Sequence, residues 1–204
     1  LIIPSLTEDV AWFIGYVHGD GYVYPGRIYR GRKHHGASVS VPINNDEYYD
    51  AILQKIENGF LSFGNFNIKD QPAQDNCDKK RVISKNLSHY FYKNFKQSKK
   101  PLNVPECILL ASKNIRAAYL AGLLDSDGST KNRPTTLISN VYSDFLRQVQ
   151  AVYSSLGIMT KLKLRKEADD NNQAKWELCL VGDFAIEKFN SMIQEYAVKS
   201  LPEH

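Results

Sequence analysis

Two aspartates, Asp20 and Asp127, each stand before a glycine in segments of similar spacing, residues 13–21 and 120–128. Carboxylate oxygens are hard ligands, and Mg²⁺ in proteins is typically held by one or two of them together with water and phosphate oxygens. A metal held in this way positions or activates water and neutralises charge on a phosphate under attack. The pair therefore indicates phosphodiester hydrolysis, provided that the fold brings the two aspartates together.

Each aspartate lies at the end of a predicted helix in which apolar residues recur at helical spacing. Ser5 or Thr7 can cap the first helix, and Ser112 or Asn114 can cap the second. Small residues allow two helix backbones to approach closely, so we expect the C-terminal ends of these helices to meet on a pseudo-two-fold axis. The small residues are Gly15, Gly19, Ala121, Gly122 and Ser126.

Similar elements follow each helix, so the chain is predicted to be α+β with two related αββαββα halves. After the first helix we expect strands at 22–29, 37–41, 65–69 and 81–84 and helices at 45–60 and 86–96. After the second we expect strands at 135–139, 160–165 and 176–181 and helices at 143–156 and 183–196. The predicted halves are residues 1–98 and 112–204, joined by a proline-containing linker at 99–111.

The two nine-residue segments resemble the LAGLIDADG motif of homing endonucleases. The second segment departs from that motif mainly at Leu124 and Ser126, and the sixth position is Asp125 in the second copy but His18 in the first. The resemblance implies two pseudo-symmetric halves with the motif helices at their interface and antiparallel sheets that form a DNA-binding saddle. It also implies an enzyme that cuts both strands of a long, asymmetric duplex and leaves short 3′ overhangs.

By this resemblance the catalytic acids are Asp20 and Asp127, and the metal site comprises these two residues with Gly19 and Ser126. The implied cofactor is Mg²⁺, for which Mn²⁺ substitutes, whereas Ca²⁺ binds without supporting cleavage. Lys85 matches the family's catalytic lysine by its position after the last strand of the first half, although an exposed lysine near a helix start is an alternative interpretation. The equivalent stretch of the second half has no lysine, which predicts unequal cleavage of the two strands.

Basic residues alternate along several predicted strands, as expected of a two-stranded ribbon that enters the major groove of DNA. In 161–165 the basic residues fall on one face, although a solvated edge strand would show the same pattern. A second basic hairpin lies in the first half; its adjacent His34 and His35 lack the further ligands that a metal site requires. The predicted DNA-binding residues are Arg27, Tyr29, Arg30, Arg32, Lys33, His35, Ser38, Ser40, Lys69, Lys79, Arg81, Lys131, Arg133, Lys161, Lys163 and Arg165.

Composition is compatible with this interpretation without proving it. The 204 residues carry a net charge of +4 and are 43% hydrophobic, which suits a polyanionic partner and a substantial core. No stretch is apolar over the roughly 18 residues that a membrane helix needs, and no signal peptide is evident, so we expect an intracellular protein of the cytoplasm, nucleoid or a eukaryotic organelle. Two motifs in one chain predict a monomer that binds duplex DNA without an obligate protein partner.

Two alternatives remain open at the level of sequence. A cleavage-deficient relative with the same fold would bind nucleic acid as an RNA maturase or a transcription regulator, and a structural repeat would have no use for the basic strands. The opening residues 4–8 resemble the entry to an intein's endonuclease region. Because the splicing residues of an intein are missing, we expect an excised or independent endonuclease domain.

Overall fold

The computed structural model describes residues 1–42, 46–74, 77–97, 100–128, 135–170 and 172–200. The first half contains α1 (Glu8–Asp20), β1 (Gly21–Tyr29), β2 (Arg32–Pro42), α2 (Asp46–Ser62), β3 (Ile68–Gln74), β4 (Cys77–Val82) and α3 (Lys85–Asn94). A short helix, α4 (Glu106–Leu109), lies within the segment predicted as a linker. The second half contains α5 (Lys113–Asp127), β5 (Thr136–Asn140), α6 (Ser143–Ser155), β6 (Thr160–Lys166), β7 (Lys175–Leu180) and α7 (Asp183–Met192).

This order confirms the predicted α+β class and the αββαββα pattern of the first half. In the second half the described residues show one strand, β5, between α5 and α6; residues 129–134, directly before it, lie outside the described part of the chain. The pair β3 and β4 is displaced along the chain from its predicted positions. Lys80 explains part of the difference, because it interrupts the apolar alternation of β4 yet is held there by Glu57 and Asp70, each 2.6 Å from its Nζ.

The motif helices α1 and α5 begin with side-chain caps that the sequence suggested. The Thr7 hydroxyl accepts a hydrogen bond from the Val10 N–H at 3.3 Å, and the Ser112 hydroxyl accepts one from the Ile115 N–H at 3.4 Å. Each cap satisfies one of the N–H groups that a helix start leaves without an intrahelical partner. The caps therefore set where both helices begin.

Helices α1 and α5 pack directly against each other at the centre of the molecule, and both are buried over most of their length. A Cβ on Gly15 would collide with the carbonyl oxygen of Tyr119, and a Cβ on Gly122 would collide with that of Trp12. Only glycine permits backbone contact this close without displacing one of the helices. The predicted small-residue interface between the motif helices is thus present.

Two antiparallel sheets flank the helix pair. Sheet 1 has the strand order β1-β2-β4-β3, and sheet 2 has the order β5-β7-β6. Helices α2 and α3 pack on one face of sheet 1, and α6 packs on one face of sheet 2. Along β2, buried Ala37, Val39 and Val41 alternate with Ser38 and Ser40, so the latter belong to the face away from the helices. We call that side the open face of each sheet.

No helix in the described part of the chain combines the length and the apolar character needed to cross a membrane.

Candidate active site

Asp20 and Asp127 are the last residues of α1 and α5, and the close packing of these helices brings their carboxylates together. A methyl group placed on Gly19 would lie 3.2 Å from Cγ of Asp127 and would collide with the Ser126 hydroxyl. Asp127 is therefore seated against the last turn of the opposite helix. The structure thus unites four residues that the sequence assigned to a metal site: Asp20, Asp127, Gly19 and Ser126.

The electrostatics of this pair are unfavourable for two free carboxylates. Burial, followed by repulsion from Asp127, raises the pKa of Asp20 to about 6, and burial also raises the pKa of Asp127. Both carboxylates stand at helix C-termini, where the helix dipole disfavours negative charge. A bound cation would relieve both the repulsion and the dipole effect.

Two lysines adjoin the aspartates, one from each half: Lys96 is half-buried and Lys199 is buried. The Lys96 ammonium donates to the carbonyl oxygens of His18 at 2.6 Å and Gly19 at 2.8 Å. The Lys199 ammonium donates to the carbonyl oxygen of Ser126 at 3.3 Å. In each half a lysine therefore binds carbonyl oxygens in the last turn of that half's motif helix, where a positive charge is favoured.

Burial lowers the pKa of both lysines, to about 8 for Lys96, while the nearby carboxylates oppose that shift. Asp127 and Asp20 both act on Lys96, and Asp125, Asp20 and Asp127 all act on Lys199. The site is thus a compact arrangement of two acids and two ammonium groups at the junction of the motif helices.

The sequence prediction named Lys85 and overlooked these two lysines. Lys85 is the first residue of α3 and is exposed; its charge acts on His35, whereas the cations that act on Asp20 are Lys199 and Lys96. The structure therefore does not bring Lys85 into the cluster. A feature shared by the two repeats could have identified these lysines, since in each half a lysine follows the closing helix.

His18 and Asp125, the residues at the sixth motif position, are buried beside this cluster. The Nε2–H of His18 donates to the carbonyl oxygen of Phe95 at 2.9 Å, and its Nδ1 accepts from the Tyr119 hydroxyl at 2.8 Å. Burial, aided by Lys96, lowers the pKa of His18 to about 3, so the imidazole is neutral. Buried Asp125 accepts hydrogen bonds from the Trp12 indole and from backbone N–H groups.

The donor set fits a small, hard cation. Among the described residues, three or more His, Cys, Asp or Glu side chains nowhere converge in a way that could hold a metal ion. Mg²⁺ does not need such a cluster, because it is often bound by one or two carboxylates while water and substrate phosphates complete its coordination. The carbonyl oxygens of Gly19 and Ser126 each accept from a lysine, and each retains a second lone pair.

The open face of sheet 1 forms a groove of about 600 Å³ that is rich in basic and aromatic side chains. The Arg81 guanidinium lies 5.4 Å from the ring centroid of Tyr24, within the range of a cation–π contact. The groove is lined by Tyr22, Tyr24, Arg27, His34, Ser38, Ser40, Gln71, Lys79 and Arg81. This composition suits contacts to both phosphates and base edges.

Strand register decides which predicted DNA-binding residues share the groove, because residues directly paired across antiparallel strands lie on the same face. Ser38 pairs with Arg81 and Ser40 pairs with Lys79, so all four share the open face. Lys69 also pairs with Arg81. Five predicted residues thus belong together on this side of sheet 1.

His35 lies on the helix-backed face of β2, and exposed Lys33 follows the same alternation, so neither shares the open face on which DNA contact was expected. Strand alternation separates them from Ser38 and Ser40, and the His35 ring centroid is 5.5 Å from that of His89 on α3. Neighbouring His34 is the residue that lines the groove, opposite Arg27. An irregularity between Pro25 and Arg27 shifts the register of β1.

The tip of the basic hairpin joins β1 to β2. Arg30 and Gly31 both have positive φ, 49° and 73°, as a tight two-residue hairpin turn requires. Arg30 and Arg32 are exposed, and Tyr29 pairs with Arg32. Lys131 and Arg133, the remaining predicted DNA contacts of this group, lie outside the described residues.

The open face of sheet 2 is less basic than its sequence pattern implied. Lys163 pairs with Glu177 and Leu162 pairs with buried Leu178, so the predicted alternation of β6 is present. Glu177, itself largely buried, accepts from the Arg165 guanidinium at 2.7 Å. One of the three predicted cations is therefore already paired, while Lys161 and Lys163 remain exposed.

Comparison with known proteins supports the resemblance to homing endonucleases. Residues 103–197 match the family model described as homing endonuclease. Mesophilic variants of the homing endonuclease I-DmoI are 21% identical to the chain, with a TM-score of 0.67 over 97% of this chain and 94% of theirs. I-DmoI in complex with DNA and Ca is 19% identical, with the same TM-score and coverage.

The homing endonuclease I-WcaI bound to its DNA recognition sequence is 14% identical, with a TM-score of 0.55 over 96% of this chain and 84% of that one. No curated protein sequence matches the chain significantly. At such low identities the structural likeness establishes the fold. Together with the family match it confirms the resemblance on which the two motifs were interpreted.

Proposed function

We propose that the protein is a site-specific, metal-dependent DNA endonuclease. Residues 103–197 match the homing endonuclease family model, and 97% of the chain shares the fold of I-DmoI variants. The observation that carries the proposal is the meeting of Asp20 and Asp127 beside half-buried Lys96 and buried Lys199. This arrangement combines metal ligands with fixed positive charges, as phosphodiester hydrolysis requires.

The two motif aspartates would hold the divalent ion, with Mg²⁺ as the physiological metal and Mn²⁺ as a substitute. When bound, the ion supplies Lewis acidity toward the phosphate and lowers the pKa of coordinated water. Structures of I-DmoI with Ca, with Mn and with Mg support the use of a divalent cation. We expect Ca²⁺ to bind without supporting cleavage.

Lys96 and Lys199 would supply the positive charge that Lys85 was predicted to supply. Each ammonium lies next to the aspartates and is held by carbonyl oxygens, so little reorganisation is needed when a phosphate arrives. Their main role would be to stabilise charge on the attacked phosphate and on the leaving oxygen. Because each half contributes one aspartate and one lysine, the arrangement supports a cut in both strands.

The open faces of the two sheets would bind the duplex on either side of the cleavage site. Sheet 1 offers Arg27, Lys79 and Arg81 in its groove, and sheet 2 offers Lys161 and Lys163. Arginine at a strand surface reads guanine bidentately, and lysine contacts phosphates or bases. We infer an asymmetric target, because sheet 1 presents two arginines and a lysine whereas sheet 2 presents two lysines. A long site and short 3′ overhangs are proposed from the resemblance to the family.

The test is cleavage of a randomised duplex library by the purified protein with Mg²⁺, with Mn²⁺, with Ca²⁺ and with EDTA, followed by sequencing of the cut ends. The proposal requires one long target site, cut in Mg²⁺ and Mn²⁺ but not in Ca²⁺ or EDTA. Asp20→Asn is the matched control, since it removes a metal ligand while preserving side-chain volume. If the wild-type protein binds nucleic acid in a salt-sensitive way but never cuts, the chain is a maturase-like or regulatory descendant.

A further inference from the structure

We propose that the sixth residue of each motif, His18 or Asp125, is a positioning residue that ties the lysine-bearing segment of its own half to the motif helix. This inference rests on the proposed function, in which Lys96 and Lys199 act on phosphate. The motif would then have two parts. Its eighth residue would hold the metal, and its sixth residue would fix the position of the lysine.

In the first half the tether runs from His18 to the residue directly before Lys96. The Nε2–H of His18 donates to the Phe95 carbonyl oxygen at 2.9 Å. Because a carbonyl only accepts, Nε2 carries the proton, and Nδ1 accepts from the Tyr119 hydroxyl at 2.8 Å. Tyr119 belongs to α5, so the opposite motif helix supplies the hydroxyl that donates to Nδ1 in this tautomer.

In the second half the tether runs from Asp125 to Lys199 itself. The Asp125 carboxylate accepts from the Val198 N–H at 2.9 and 3.0 Å and from the Lys199 N–H at 2.7 Å. The Trp12 indole donates to the same carboxylate at 2.7 Å. Again the opposite motif helix, here α1, orients the sixth residue, and that residue holds the segment that carries the lysine.

The two tethers use opposite chemistry and are not interchangeable. His18 is a donor to a carbonyl oxygen, whereas Asp125 is an acceptor from two N–H groups. An aspartate at position 18 would set a carboxylate oxygen against the Phe95 carbonyl oxygen, two acceptors with no proton between them. The first motif therefore requires a hydrogen-bond donor at position 18, because the backbone group opposite it is a carbonyl oxygen.

A strand-resolved cleavage assay on the target tests the proposal, with the two DNA strands labelled separately. His18→Leu keeps the apolar bulk and removes the donor; we expect one strand to be cut about 10- to 100-fold more slowly, with DNA affinity unchanged. Lys96→Met should slow cleavage of that same strand. His18→Gln, which restores an N–H donor near Nε2, should recover much of the lost rate.

The second half supplies the reciprocal experiment. Asp125→Asn exchanges one acceptor oxygen for an N–H₂ group that faces backbone donors, so we expect the other strand to be cut more slowly, as in Lys199→Met. Trp12→Phe removes the indole donor that orients Asp125 but leaves the two backbone N–H donors, so we expect a smaller loss on the same strand. Equal losses on both strands in the His18 and Asp125 variants, or no loss, would overturn the proposal.

Amide hydrogen exchange in the metal-free protein gives a readout that requires no DNA cleavage. The Lys96 N–H donates to the Phe91 carbonyl oxygen at 2.9 Å, and we expect it to exchange at least about tenfold faster in His18→Leu while Lys199 is unchanged. Asp125→Asn should show the converse. A wild-type protein that cuts no DNA would defeat the proposed function alone, whereas unchanged exchange at both lysines would defeat the tether.

Discussion

The two halves of the molecule build the same site from different side chains. In both, an aspartate ends the motif helix, and a lysine that follows the half's last helix donates to a carbonyl oxygen in the last turn of the motif helix. The sixth motif residue forms a hydrogen bond to the backbone next to or at that lysine. The first half achieves this with a neutral histidine that donates, and the second with a carboxylate that accepts. Equivalent backbone positions therefore persist while the hydrogen-bond chemistry that holds them changes.

The open faces of the two sheets differ in a second way. The groove of sheet 1 combines Arg27, Lys79 and Arg81 with two tyrosines, whereas on sheet 2 the Arg165 guanidinium is bound to Glu177. Positive charge is thus concentrated on one side of the pseudo-symmetric pair. We expect the first half to contribute more of the DNA affinity, while exposed Lys161 and Lys163 add phosphate contacts from the second half.

The largest expected effect follows from removing either metal-binding acid. Asp20→Asn or Asp127→Asn should lower double-strand cleavage by at least about 1,000-fold, because a lost ligand removes both the metal's charge and its activated water. DNA affinity should be retained, and a nicked product is expected where only one strand's cleavage is lost. Gel analysis of a supercoiled target plasmid separates these products. Unimpaired linearisation by both variants would exclude the assigned site.

The next effect distinguishes the lysines of the two halves from Lys85. Lys96→Met and Lys199→Met should each slow cleavage of one strand by about 100-fold, since a preorganised charge next to the scissile phosphate is lost. Lys85→Met is the matched control and should stay within about twofold of wild type, because Lys85 is exposed at the start of α3. Single-turnover rates on end-labelled DNA measure all three. A large loss of cleavage rate in Lys85→Met would show that Lys85 takes part in catalysis.

Measurements of DNA affinity test whether the two sheets contact DNA differently. Arg81→Ala should weaken binding by about 10-fold and relax discrimination at one base pair, since a bidentate arginine contributes about 1–3 kcal/mol. Lys163→Ala should weaken binding more uniformly and reduce the salt slope by about one unit. Binding measured over a range of salt concentrations, on the target and on single-base variants, tests both. An unchanged slope for Lys163→Ala would place β6 away from DNA.

The last comparison concerns pH and the repulsion between the aspartates. Because the pKa of Asp20 rises to about 6 on folding, the folded state binds its proton more tightly than the unfolded chain does. The resulting stabilisation of the metal-free protein is complete below the carboxyl's ordinary pKa and is lost as pH rises through about 6.

Asp20→Asn should therefore raise the free energy of unfolding at pH 7 by about 1–3 kcal/mol, with a much smaller gain at pH 4. Urea unfolding of both proteins without metal at the two pH values measures the difference. Adding Mg²⁺ should favour the wild type over the variant at pH 7, because only the wild type retains both carboxylates. A gain that is equal at both pH values would show that the charge of Asp20 is not its source.

By itself, the sequence determined the α+β class, the repeated motif and the glycine-lined contact between the motif helices, and it narrowed the helix caps to Ser5 or Thr7 and to Ser112 or Asn114. These features depend on local spacing and on residues whose small size or capping chemistry suits few positions in a fold. The aspartates were identifiable for the same reason, because each occupies the same position in a short repeat.

Tertiary structure alone decided which lysines reach the aspartates and which residues of the basic hairpin share a face. Lys96 and Lys199 lie more than seventy residues from the motif they serve, and no local periodicity reports such a contact. The alternation of β2 could be predicted from the sequence, but its register against β1 and β4 placed His34 in the groove and His35 against α3. A strand presents side chains with a period of two, so a difference of one residue exchanges the two faces.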